Sequence, residues 1–93
     1  MTVFVLTYDL IKERSPAAYK PLIDELERLG AHRYQASSWM VNLSNTPKEA
    51  HDHFKGYLDD NDKLFISELT KLHHFSNANA GTNDWLRRNP PTR

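Results

Sequence analysis

Thr2-Val3-Phe4-Val5-Leu6-Thr7-Tyr8, with Asp9 directly after it, is the stretch whose reading decides the fold. Its β-branched and aromatic residues favour an extended chain. Its two alternating sets, Val3/Val5/Thr7 and Phe4/Leu6/Tyr8, are both largely apolar. A strand with one wet face would alternate apolar with polar. This one reads as buried on both faces, and so as central in its sheet. Asp9 falls at its C-terminal end.

Working outward, Lys12–Pro16 is polar and reads as a loop. From about Ala18 to Leu29 the period becomes helical, with Tyr19, Leu22, Ile23, Leu26 and Leu29 on one face. Pro21 suits only a first turn, which places the start near Ala18–Lys20. Gly30 has the position of a left-handed helix stop. His32–Gln35 and Trp39–Leu43 read as two strands, either an antiparallel hairpin or one strand bent at a bulge. Thr46-Pro47-Lys48-Glu49 is a helix start: Thr46 caps, Pro47 suits the first helical position and Glu49 completes a capping box. That helix runs to about Leu58. Asp59–Asp62 is a turn that lacks the length and spacing of a calcium loop. Lys63–Leu69 is a further strand. A short helix anchored by Trp85 and Leu86 follows at Thr82–Arg88, with Thr82 or Asn83 as its N-cap. Asn89–Arg93 reads as a frayed tail.

The order is β-α-β-β-α-β plus a C-terminal extension. This predicts an α+β, ferredoxin-like sandwich with a short helical extension. The 93 residues form one domain, its core at about 2–69 and its extension at 70–93. Two helices cover only one face of a four-stranded sheet. The two-sided apolarity of Thr2–Tyr8 therefore requires a second cover, from the extension, from a second subunit or from both. A two-fold homodimer is the expected assembly.

Composition narrows the function classes. With 12 basic and 12 acidic residues the formal net charge is zero, which argues against constitutive charge-driven nucleic-acid binding but leaves room for a local basic patch. There is no cysteine, so disulfides, thiolate metal sites and a cysteine nucleophile are excluded. The opening MTVFVLTYDL has no basic leader and no small-residue cleavage site after it. Its apolar run is too short to cross a bilayer. A cytoplasmic, non-membrane protein is expected. His51 and His53 do not share a helix face, His73 and His74 are adjacent, and no zinc spacing occurs.

Two short motifs carry a resemblance. Val5-Leu6-Thr7-Tyr8-Asp9-Leu10 resembles the first-strand signature of two small families. These are the CRISPR-associated dimeric protein that scaffolds the spacer integrase, and virulence-associated protein D, a toxin-like ribonuclease. Arg33-Tyr34-Gln35-Ala36-Ser37-Ser38-Trp39 is similar to a stretch on their second strand. The chain also resembles a group of short bacterial proteins labelled as relatives of a sporulation regulator. With that group it shares Ser38-Trp39, the Asp59–Leu64 turn and Asn83-Asp84-Trp85-Leu86.

The resemblance implies a ferredoxin-like dimer in which Asp9 lies beside its copy across the axis. Two such carboxylates suit one Mg²⁺, a hard ion that prefers oxygen ligands. Asp9 is then the catalytic and metal-binding residue. Tyr8, Arg33, Gln35, Ser37 and Ser38 are the candidate substrate-binding residues. Each has a plainer reading: Asp9 as a turn cap, Tyr8 as core, Arg33 as a surface arginine, and Gln35, Ser37 and Ser38 as a polar hairpin bend. The leading expectation is a homodimeric metal-dependent endonuclease acting on nucleic acid, RNA above all. The alternative is a non-catalytic dimeric scaffold or toxin–antitoxin-like interaction module. A third is a small ligand or nucleotide held between subunits.

Overall fold

The computed structural model describes residues 1–9 and 16–93, with side chains at 16–18 left aside. The loop expected at residues 12–15 lies outside the described residues, as does Leu10. The elements are β1 (Thr2–Asp9), α1 (Pro16–Arg28), β2 (His32–Gln35), β3 (Ser38–Leu43), α2 (Pro47–Lys55), β4 (Lys63–Glu68) and α3 (Thr82–Arg88). Among the described residues the result is a small α+β structure: a four-stranded antiparallel sheet in the order β2-β3-β1-β4, with three helices.

β1 is central, between β3 and β4. Its even residues meet the two long helices. Phe4 and Leu6 share a buried cluster with Leu22 and Leu26 of α1, Trp39 and Val41 of β3, and Ala50 and Phe54 of α2. Its odd residues face the other way. Val3 is buried against Met40 and Trp85, with Val5, Tyr34, Leu69 and Leu86 packed around them. The strand is therefore apolar on both sides because α1 and α2 cover one and the C-terminal segment covers the other.

The helix stops are chemical. α1 ends in a Schellman motif at Gly30, whose φ of 74° suits a residue without Cβ. Ala31 N–H donates to the Leu26 carbonyl and Gly30 N–H to that of Glu27. α2 begins with the expected capping box: Glu49 N–H donates to Thr46 Oγ1 at 3.1 Å, and Thr46 N–H to Glu49 Oε1 at 2.8 Å. It stops at Lys55, short of Leu58. α1 starts at Pro16, so Pro21 lies inside the helix rather than in its first turn. Burying Leu22 and Leu26 outweighs the one backbone bond that Pro21 cannot make. β2 and β3 form a hairpin that also carries a bulge between Arg33 and Gln35.

The C-terminal segment is pinned to the sheet rather than frayed. Trp85 Nε1 donates to the Gly30 carbonyl at 2.8 Å, and Trp85 is only 4% exposed. Asn42 Nδ2 donates to Asn89 Oδ1, Lys71 N–H donates to the Arg93 carbonyl, and Arg93 pairs with Glu68. The cap of α3 is Gly81, not Thr82 or Asn83. Thr82 Oγ1 instead donates to the Asn79 carbonyl at 2.7 Å and meets His32 Nε2 at 2.8 Å. The hydroxyl hydrogen is used, so His32 Nε2 is the donor in that contact. Replacing Trp85 with Ala is expected to cost about 3–5 kcal/mol, a large share of a small domain's stability. Urea unfolding of the variant, followed by circular dichroism, checks this.

Candidate functional site at the end of the central strand

Asp9 is exposed at the last position of β1, opposite Lys63 of β4. Two residues back, Thr7 pairs with Ser38 on one side and Phe65 on the other. The turn between β2 and β3 is fastened to this end of the sheet, because Tyr8 N–H donates to the Ser37 carbonyl at 3.2 Å. A concavity of about 310 Å³ is lined by Thr7, Tyr8, Asp9, Lys63, Leu64 and Phe65. Phe65 is 64% exposed. The face of β1 that α3 covers at Val3 is thus open at its Asp9 end.

The candidate residues divide by where the fold sends them. Asp9, Gln35 and Ser37 are exposed. Gln35 pairs with Ser38 across the hairpin, and Ser38 is buried beside Thr7. Tyr8 packs against the helix-side core, and its hydroxyl accepts from Trp39 Nε1 at 3.4 Å. Arg33 lays its guanidinium over the Trp39 ring, 4.9 Å from the centroid, and its Nε is buried without a hydrogen-bond partner. Asp9, Ser37 and Gln35 therefore share one end of the sheet with solvent access, while Tyr8, Arg33 and Ser38 are engaged with neighbouring side chains or strands.

Among the described residues no three His, Asp or Glu side chains converge as a metal cage. At this end of the sheet the chain brings an exposed carboxylate, Asp9, and sets a cation, Lys63, next to it. Mg²⁺ is commonly held by one or two carboxylates, with water and substrate oxygens completing its shell. Asp9 alone supplies one such carboxylate. The Asp59–Asp62 turn closes on itself, with Asp59 N–H donating to Asp62 Oδ2 at 2.9 Å.

Among the described residues, the most extensively bonded ionic group lies elsewhere and was missed in the sequence. Glu25 is 7% exposed between α1 and α2. It takes two bonds from Arg28, at 2.6 and 2.8 Å, and meets His53 Nε2 at 2.5 Å. The Arg28 guanidinium holds the Glu25 carboxyl down at about 2, aided by His53 and opposed by burial. The Glu25–Arg28 spacing was readable on the helix. The approach of His53 from α2 was not, because it is a tertiary contact. His32 shifts downward for another reason: burial disfavours its charged form, and Arg88 adds to this.

Comparison with known proteins adds no family: no family model matches the chain, and no solved structure matches it.

Two pH effects on stability follow. The Glu25 contribution is full above its ordinary value of 4.5 and is lost as pH falls towards 2, because the folded state favours the ionised form. The His32 contribution is full above 6.5 and declines as pH falls below it, because the folded state favours the neutral ring. Urea midpoints from pH 8 to pH 2 are expected to drop in both windows. Glu25→Gln is expected to flatten the acidic one, and His32→Gln the one below neutrality.

Proposed function

We propose that this protein is a homodimeric, Mg²⁺-dependent endoribonuclease of the cytoplasm, with Asp9 as its metal-binding and catalytic residue. The observation that carries the reading is the placement of Asp9. It stands exposed at the open end of the central strand β1, which contributes to both cores, beside a hairpin turn bearing Ser37 and Gln35. Strand order and direction, together with the β-α-β-β-α-β chain order, support a ferredoxin-like sandwich. Kinship with the CRISPR-associated scaffold and virulence-associated protein D families rests on their motifs, which the first strand and hairpin resemble.

Pairing through the open end of the sheet would set the Asp9 of one protomer near its copy. The exposed Phe65 supplies apolar surface for such a contact. A divalent ion held there would lower the pKa of bound water and offset charge on a scissile phosphate. Asp9 would hold it, Ser37 and Gln35 would offer hydrogen bonds to the sugar-phosphate chain, and Lys63 would attract the phosphate.

A second reading, the non-catalytic interaction module, is favoured by the exposed apolar side chains Phe65 and Leu72, the latter 94% exposed. Single-turnover cleavage of labelled RNA and DNA with Mg²⁺ separates the two. Cleavage of RNA is expected, falling to background in Asp9→Ala and Asp9→Asn. Cleavage unchanged in both variants would sink the Asp9 mechanism, and none by the parent protein would favour the module. Light scattering after gel filtration is expected to find a dimer that Phe65→Asp converts to monomer. A dimer indifferent to that change would place the interface elsewhere.

A further inference from the structure

The chain is neutral as a whole, but its charges are unevenly spread. Residues 69–93 hold Lys71, Arg87, Arg88 and Arg93 against a single acidic residue, Asp84. All four cations are exposed. Arg93 is paired with Glu68 of β4 and Arg88 acts on His32 of β2, which leaves Lys71 and Arg87 to the surface of the segment that roofs the second face of the sheet. There the loop after β4 and helix α3 flank a shallow, solvent-open groove of about 690 Å³. Lys71, His73 and Arg87 give it polar walls, and Phe75, Leu86 and Pro91 give it apolar ones.

We propose that this groove binds single-stranded nucleic acid. Phe75 is 37% exposed, and its ring lies within 11° of parallel to that of His73, their centroids 6.4 Å apart. Rings of this kind beside cations match what an unpaired nucleotide presents, a flat base next to a phosphate. Lys71 and Arg87 supply the phosphate contacts, and Arg adds cation–π attraction to a base. A duplex keeps its base faces stacked inside and cannot offer one to Phe75.

The groove is held in shape before a ligand arrives. His73 Nδ1–H donates to the Thr70 carbonyl at 2.6 Å, and Leu72 N–H to Thr70 Oγ1 at 3.2 Å. Lys71 N–H is tied to the Arg93 carbonyl at 2.6 Å, and Asp84 Oδ1 orients the Arg87 guanidinium. Fixing these groups in advance lowers the ordering cost of binding. The site gives the endonuclease reading a class of substrate, an unpaired strand, yet it does not depend on Asp9 or on a metal.

Fluorescence anisotropy with a short labelled oligouridylate and its DNA counterpart, in EDTA, tests the proposal without cleavage. Binding is expected to weaken with salt. Phe75→Ala is expected to weaken it about fivefold or more, as loss of one stacked base does. Phe75→Leu, which keeps apolar volume but not the ring, should behave alike and guards against a folding defect. Lys71→Ala with Arg87→Ala should reduce the log–log salt slope by about 1.4. Lys48→Ala, which removes an exposed cation on α2 outside the groove, should bind as the parent does, and the EDTA separates this site from the cleavage proposal. Three results would overturn it: no binding at low salt, binding indifferent to these groove variants, or stronger binding to duplex RNA or phosphatidylserine vesicles than to the single strand.

Discussion

A strand apolar on both sides needs two covers, and the rest of this structure depends on how β1 obtains them. On one side the solution is ordinary: two amphipathic helices lay Leu22, Leu26, Ala50 and Phe54 over Phe4 and Leu6. On the other side seven residues of α3, Trp85 among them, cover the Val3 half of the strand, with Leu69 packed beside them. An indole covers a large area for one residue, and its N–H finds a partner in the Gly30 carbonyl. That carbonyl belongs to the turn ending α1, so one hydrogen bond joins the cover of the second face to the helices of the first. The C-terminal segment is thus part of the core.

Features set by neighbours in sequence were legible. The capping box of Thr46 and Glu49, the stop at Gly30, the central place of Thr2–Tyr8 and the span of α3 all rest on residues a few positions apart. What failed depended on distant partners. The tail after Asn89 looks polar and proline-rich, and nothing local says that Asn42, Lys71 and Glu68 will hold it. Thr82 looks like a cap, yet its hydroxyl is drawn away to Asn79 and His32. Pro21 looks like a first-turn residue, and only the packing of Leu22 and Leu26 explains its place further in.

The candidate site was legible to a lesser degree. Strand periodicity placed Asp9 at a strand end, and a short hairpin placed Ser37 and Gln35 nearby. It could not foresee that Arg33 would lie on Trp39, or that the Tyr8 hydroxyl would meet the indole of the same residue. Trp39 thus gathers two of the expected polar groups, one through its ring face and one through its N–H. Residues that look like ligands in a motif are in this case also the packing around a tryptophan.

The two margins of the sheet differ in a way that bears on growth of assemblies. Along β2 the margin is occupied: Asn79 N–H donates to the Tyr34 carbonyl, and its Nδ2 to that of Arg33. β4 has β1 as its single strand neighbour among the described residues. A further strand could add along β4 but finds the Tyr34 and Arg33 carbonyls of β2 already taken, so the sheet can extend on one side and not on both. A small sheet with a bare margin is otherwise a seed for fibrils, and one asparagine on the far side blunts that hazard.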